Sequence, residues 1–205
     1  MPQAKARYDD LAHRYERAMR PLEGWFLRRW RAETLAYLPA DSRILEVGAG
    51  TGLNFRFYPH GTKGIASELS CEMLKIAERK NRPEGVCLAQ NSAEMLPFKD
   101  ATFDAAFATL VFCSVASQQI AFAELRRVVK PGGPIVLLEH VRPNGLLGPV
   151  FDLLNLLTVW LFDDHVNRRT SDEARAAGLR VERVEKKAQG VFNLIVLRNE
   201  PGLEL

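Results

Sequence analysis

The 205-residue sequence predicts an open, doubly wound α/β domain built on a mostly parallel sheet. Three observations carry that prediction. Short apolar runs recur through the middle of the chain, amphipathic segments of helical period lie between them, and the first run ends in a glycine-rich turn, Gly48-Ala49-Gly50-Thr51-Gly52.

The elements come in order. Two helical stretches, about residues 5–19 and 22–38, open the chain, separated at Pro21 and ended by Pro39. Strand-like runs succeed them at about 43–47, 64–67, 86–89, 103–108 and 135–138. Each is nearly continuous in apolar residues rather than alternating, as strands buried on both faces are. Helical segments at about 70–80, capped by Ser70, and 117–129 separate the later strands. An apolar stretch, 146–162, is broken by Gly148, Pro149, Asp152 and Asn155, and is too short and interrupted for a membrane span. A helix over 171–177 ends at Gly178, and runs at 179–185 and 191–197, with Gly190 between them, predict a terminal hairpin. No repeat or linker divides the chain, so a single domain is expected over 1–205, with a helical cap at 1–40 and an apolar insertion at 142–170 over the substrate side.

Composition narrows the function. With 47% hydrophobic and 26% charged residues and a net charge of +3, the chain lacks the concentrated basic face that nucleic acid requires. Cys71, Cys87 and Cys113 have neither the spacing of a zinc site nor an even count for disulfides, so no metal is expected. The N-terminus shows no apolar core of a secretory signal, and a cytoplasmic location is expected. Arg28, Arg29 and Arg31 lie among Trp25, Phe26 and Trp30. At helical spacing Leu22, Trp25, Phe26 and Trp30 share one face, expected to pack on the domain and leave the arginines solvated. The alternative use of this cluster is peripheral contact with anionic lipid or an acidic substrate.

Chemistry concentrates at the first loop. Open parallel sheets bind ligands at the carboxyl ends of their strands, where the strand order reverses. Gly48 and Gly50 let the backbone approach a ligand closely, and Gly52 suits tight packing where the next helix is expected to start. A dinucleotide fingerprint requires a third glycine three residues after the second, and Leu53 stands there. Glu46 precedes the loop on a buried strand, where a carboxylate is costly without a partner; a ligand ammonium would provide one. Glu68, at the end of the second strand, is placed to accept from ribose hydroxyls, and Leu69 to cover a base. The turn Asn91-Ser92-Ala93-Glu94 comes after the third strand.

Four segments carry a family resemblance: Ile44-Leu45-Glu46-Val47-Gly48-Ala49-Gly50-Thr51-Gly52, Glu68-Leu69-Ser70-Cys71-Glu72-Met73-Leu74, Ala93-Glu94-Met95-Leu96-Pro97-Phe98 and Val128-Val129-Lys130-Pro131-Gly132-Gly133. In this order they resemble the motifs of class I S-adenosylmethionine-dependent methyltransferases, especially the ubiquinone/menaquinone C-methyltransferase group. The resemblance implies a Rossmann-like, seven-stranded sheet with an antiparallel C-terminal hairpin, and S-adenosyl-L-methionine as cofactor. It places Gly48 and Gly50, with Ala49 between them, at the methionine portion, Glu68 at the ribose, and Ser92 and Ala93 at the adenine. Ser92 departs from the aspartate common at that position. The segment around Tyr15 resembles the family's first helix, and Tyr15 is the candidate to close over the cofactor.

Methyl transfer needs a base only if the acceptor must lose a proton. His140, at the carboxyl end of the fifth strand, and His165, after the apolar stretch, are the candidates. Thr109-Leu110-Val111-Phe112-Cys113-Ser114-Val115, Glu139-His140-Val141 and the segment from His165 to Thr170 resemble a subgroup including phospholipid N-methyltransferase-like and thiol methyltransferase-like proteins, although Asp164 stands where that group often has cysteine. A small apolar or lipid-like acceptor is expected. The competing readings are a nicotinamide-dinucleotide oxidoreductase and a cofactor-binding protein without turnover.

Overall fold

The structure, a computed structural model, describes residues 2–140 and 170–200. Seven strands form one sheet: β1 (Arg43–Val47), β2 (Lys63–Glu68), β3 (Val86–Gln90), β4 (Ala105–Thr109), β5 (Pro134–His140), β6 (Arg180–Lys187) and β7 (Phe192–Arg198), in the order β3-β2-β1-β4-β5-β7-β6. The five strands β1 to β5 pair in parallel, and β7 runs antiparallel to both β5 and β6. The order reverses between β1 and β4, whose carboxyl ends therefore open a crevice. The seven-stranded, Rossmann-like sheet and its antiparallel terminal hairpin agree with the sequence reading.

Continuous apolar runs arise because the central strands are covered twice. Successive side chains point to opposite faces. Leu45, Ile135 and Leu137 join the core under α4 (Gln118–Val128) and α5 (Thr170–Ala176), while Ile44 and Val136 join a second core with Leu35 of α2 (Arg28–Leu35). In the first core Phe112 stacks on Phe122 with ring centroids 4.4 Å apart. Two helices are capped by serine: Ser70 Oγ, as the sequence suggests, accepts from Met73 N at the start of α3 (Cys71–Glu78), and Ser117 Oγ accepts from Ile120 N before α4. The edge strand β6 has no fully buried position, as a strand with a solvated face does, and its alternation is interrupted by three exposed residues, Glu182 to Val184, at a register shift.

Three expectations change. Pro21 does not separate a pair of helices. α1 (Pro2–Leu22) runs through it into one wide π turn, Glu23–Leu27, and directly on into α2. Pro21 has no N–H to donate, and in the wide turn just beyond it Arg28 N–H reaches back five residues to Glu23 O. The wide turn adds a residue to the helical phase, which breaks the face expected of Leu22, Trp25, Phe26 and Trp30. Trp25 is 83% exposed and Leu22 37%, while Arg31, expected in solvent, is 3% exposed. Finally, the glycine loop leads into turns and a short 3-10 helix, Phe55–Phe57, instead of an α-helix. Gly52 is needed because a Cβ there would lie 2.4 Å from the Phe55 ring. The apolar stretch 146–162 and His165 lie outside the described residues. Among those described, no helix is long and apolar enough to cross a membrane.

The end of β7 is tied to the rest by a residue with no sequence signature. Asn199, buried, donates through Nδ2 to Arg126 O at 2.9 Å and Val129 O at 2.7 Å, and its carbonyl accepts from Gly132 N. Asn199→Ala leaves those carbonyls short of a donor and is expected to lower unfolding free energy by about 1–3 kcal/mol in urea titration.

Candidate active site

The glycine loop and the end of β2 make one unit. Gly48, Gly50 and Gly52 all have positive φ, at 69°, 55° and 79°. A Cβ on Gly48 would fall 2.3 Å from Val111 Cγ2, so the loop after β4 packs where a side chain would stand. A Cβ on Gly50 would meet only Met73 Sδ at 3.8 Å, and its position opens toward the cavity. Glu68 organises this region: Oε2 accepts from Gly50 N at 2.9 Å, and Oε1 from Leu69 N at 2.8 Å and Ser70 N at 2.9 Å. Burial pushes its carboxyl above the usual range, against the pull of those three N–H groups.

α1 lies across this unit as a strap. Asp9 accepts from Ser70 Oγ at 2.5 Å and Glu72 N at 3.3 Å, and Glu16 pairs with Lys80. Tyr8, Tyr15 and Met19 thereby face the cavity. Burial pushes the Tyr15 hydroxyl up to about 12, so it stays a hydrogen-bond donor at any physiological pH.

A buried polar network lies behind the loop. Arg31 donates through Nε to Glu23 Oε1 at 2.9 Å, and through Nη1 to Asn54 Oδ1 at 3.0 Å and Thr109 Oγ1 at 2.6 Å. Asn54 Nδ2 donates to Glu46 Oε1 at 2.6 Å, and the Tyr58 hydroxyl donates to Glu46 Oε2. Glu46 is fully buried, and burial raises its pKa to about 7 despite these donors and the Arg31 charge.

The opposite wall comes from β4 and β5. Leu110 has φ 60°, rare for a residue with a branched side chain, and donates to Leu138 O at 2.7 Å. The buried Glu139 steadies the next two residues, its Oε1 accepting from Val111 N at 3.0 Å and Phe112 N at 3.1 Å. His140, the last residue of β5, faces the cavity with its ring centroid 4.2 Å from that of Phe192.

These walls enclose a cavity of about 420 Å³ at the reversal of strand order. Eight residues expected from sequence line it: Tyr15, Gly48, Gly50, Glu68, Leu69, Ser92, Ala93 and His140. Glu46 and Ala49 do not line it; Glu46 has protein partners behind the loop, and Ala49 N donates to Ser67 O at 2.8 Å. Sequence reasoning did not single out Tyr8, Met19, Val111, Asn54 or Glu139. Cys113, buried, also reaches the cavity.

A cavity lined by a glycine loop, a buried carboxylate and an apolar far wall at the reversal of strand order suits a nucleoside-bearing cofactor. Residues 45–137 match the methyltransferase domain family. A demethylmenaquinone methyltransferase from Thermus thermophilus is 35% identical over 152 residues, covering 70% of this chain and 69% of that protein. A ubiquinone/menaquinone biosynthesis C-methyltransferase from Syntrophotalea carbinolica is also 35% identical, over 70% of this chain and 64% of that protein. The chain spans 59% of the length of another relative, the demethylmenaquinone methyltransferase of Renibacterium salmoninarum. A solved S-adenosylmethionine-dependent methyltransferase from Thermotoga maritima, described as a possible histamine N-methyltransferase, shares the fold with TM-score 0.73 at 23% identity, covering 96% of this chain and all of that one. The chain belongs to the class I S-adenosylmethionine-dependent methyltransferases, and S-adenosyl-L-methionine is the cofactor. This sets aside the dinucleotide reading.

The residues fit that cofactor. The space beside Gly50 admits an extended arm, Glu68 is a buried carboxylate at the cavity wall, and Asn91 on the same wall keeps both amide atoms buried without a hydrogen-bond partner among the described residues. Ser92 Oγ, by contrast, accepts from Glu94 N at 3.2 Å within its own turn.

Two glycine substitutions should separate fold from site. Gly48→Ala must displace Val111 as well as strain the backbone, and is expected to lower the melting temperature by several degrees. Gly50→Ala costs about 1–2 kcal/mol of backbone strain and projects into the cavity, so its S-adenosylhomocysteine affinity should fall about tenfold or more by calorimetry.

Glu46 sets a pH dependence. The folded group keeps its proton to about pH 7, while its ordinary value is 4.5. The resulting stabilisation is full below the lower value and lost as pH rises through the higher one. Wild type should therefore lose on the order of 2 kcal/mol relative to Glu46→Gln between pH 5 and 8, measured by urea melts at both pH values.

Proposed function

We propose that this methyltransferase acts on a small apolar acceptor of the quinol type. The observation that carries the proposal is the wall opposite Glu68, where Leu110, Val111 and Val115 lead to His140. Apolar side chains there exclude water and favour a ring over a charged acceptor. The names of the relatives, demethylmenaquinone and ubiquinone/menaquinone C-methyltransferases, supply the acceptor class.

The bound cofactor supplies an electrophilic methyl group on a sulfonium. The chain's own residues do the positioning, the main source of rate in such a displacement. Glu68 accepts from the ribose hydroxyls, Gly48 and Gly50 leave room for the methionine arm, and Ala49 fixes the loop through Ser67. Leu69 covers a face of the adenine, and Ser92 and Ala93 border it. Tyr15, held by the α1 strap, screens the site from solvent. Glu46 acts through Asn54, which anchors the residues following the loop. A quinol ring methylated at carbon loses one proton, and His140 is the base on the acceptor side among the described residues. His165 is retained as a second candidate from the sequence alone.

A labelled-methyl assay with a demethylated short-chain quinol, phosphatidylethanolamine and an alkyl thiol in parallel tests the reading. Label should enter the quinol. Label confined to the phospholipid or the thiol, or absent from all three, overturns it. His140→Ala is expected to lower kcat about 100-fold or more while leaving S-adenosylhomocysteine affinity within about twofold, and an equal loss in both would remove His140 from the acceptor side.

A further inference from the structure

The wide turn between α1 and α2 leaves an aromatic residue outside the fold with a charge pattern around it. Trp25 is 83% exposed, and Leu22, three residues before it, is 37% exposed. Arg20, Arg28 and Arg29 are exposed on the same stretch. Its two acidic side chains are already engaged: Glu23 by Arg31, and Glu33 by Arg29 and Lys187. Among the described residues no ion pair engages Arg20 or Arg28. Beside the indole runs a shallow groove floored by Phe26, Ala32 and Phe57.

We propose that this face docks the protein on an anionic membrane surface, with Trp25 inserted at the headgroup level and Arg20 and Arg28 on lipid phosphates. An indole has an apolar body and one N–H, which suits the boundary between acyl chains and headgroups. Basic residues beside it add attraction to anionic lipid that falls off within a Debye length. The occupant is decided by size and sign. Trp25 and Leu22 together expose on the order of 200–300 Å² of apolar surface, well below the roughly 800 Å² per partner of a stable protein interface. A bilayer requires no complementary shape, and among the described residues of this stretch the charge left outside ion pairs is of one sign. Nucleic acid fits poorly, since an indole with two arginines makes too few phosphate contacts to bind at physiological salt.

The face also has a direction. Phe26 lies 4.5 Å from Trp30, Trp30 lies 5.2 Å from Phe192, and Phe192 lies 4.2 Å from His140, all between ring centroids. A continuous row of rings thus joins the residue next to Trp25 to the acceptor wall of the cavity. Docking on this face would place the outer end of that row beside the bilayer.

Vesicle sedimentation and tryptophan fluorescence test the proposal without any methyl acceptor, so its failure would leave the acceptor reading standing. Binding to vesicles of phosphatidylglycerol and phosphatidylcholine should be at least tenfold tighter than to phosphatidylcholine alone, and should weaken with salt. Trp25→Ala should lower the affinity about tenfold, and the double change Arg20→Glu, Arg28→Glu should abolish the preference for anionic lipid. Both variants should bind S-adenosylhomocysteine as wild type does, showing that the fold is intact. Emission should shift to the blue with vesicles in wild type and much less in Trp25→Phe. The proposal is overturned by equal vesicle binding of wild type and Trp25→Ala, or by no binding at all. Self-association removed by Trp25→Ala in the absence of vesicle binding would assign the face to a second copy instead.

Discussion

The buried guanidinium of Arg31 is the constraint around which the site is arranged. A cation taken out of water must be met by partners or it unfolds its surroundings. Its partners lie on three elements: Glu23 in the wide turn, Asn54 after the glycine loop, and Thr109 at the end of β4. Meeting them pins α2 against the reversal of strand order, and α1, continuous with it, is thereby laid over the cavity. Asn54 then passes the restraint to Glu46. Burial raises the Glu46 pKa to about 7, and its carboxyl is met by the hydrogen bonds of Asn54 and Tyr58, while Glu23 is the direct ion-pair partner of Arg31.

Two other carboxylates do a different job on either side of the crevice. Glu68 gathers the N–H groups of Gly50, Leu69 and Ser70, and Glu139 those of Val111 and Phe112. Each converts a loop at a strand end into a fixed surface by satisfying backbone donors that would otherwise seek water. The second is the more demanding case, since Leu110 next to its loop sits in a left-handed conformation costing about 1–2 kcal/mol. Val111 offsets that strain by packing on Gly48, so the two loops hold each other.

How far the sequence is legible depends on how local each cause is. Strands β1 to β5 are readable because burial on both faces writes itself as unbroken apolar runs, and α3 and α4 because Ser70 and Ser117 cap them through bonds three residues long. Gly48, Gly50 and Glu68 are readable because backbone conformation and ligand chemistry restrict those positions to few residue types. Glu46 shows the limit of that reasoning: its cost in a buried strand is plain from sequence, but the partners that meet it, Asn54 and Tyr58, are ordinary polar residues until the fold brings them together. Arg31 and Trp25 exchange their expected environments because one added residue of helical phase has no compositional mark. Glu139 and Asn199 serve backbone groups distant in sequence, which no pattern of neighbours reveals.

The wide turn makes the width of a single helical turn a functional variable. Each residue of an α-helix advances the chain by about 100° around its axis, so straightening residues 23–27 into regular helix at the same length would swing everything before them through roughly that angle. Tyr8 and Tyr15 would leave the cavity together, with every side chain in the strap unchanged. Residues 23–27 therefore set the angle of the strap through the backbone conformation they hold.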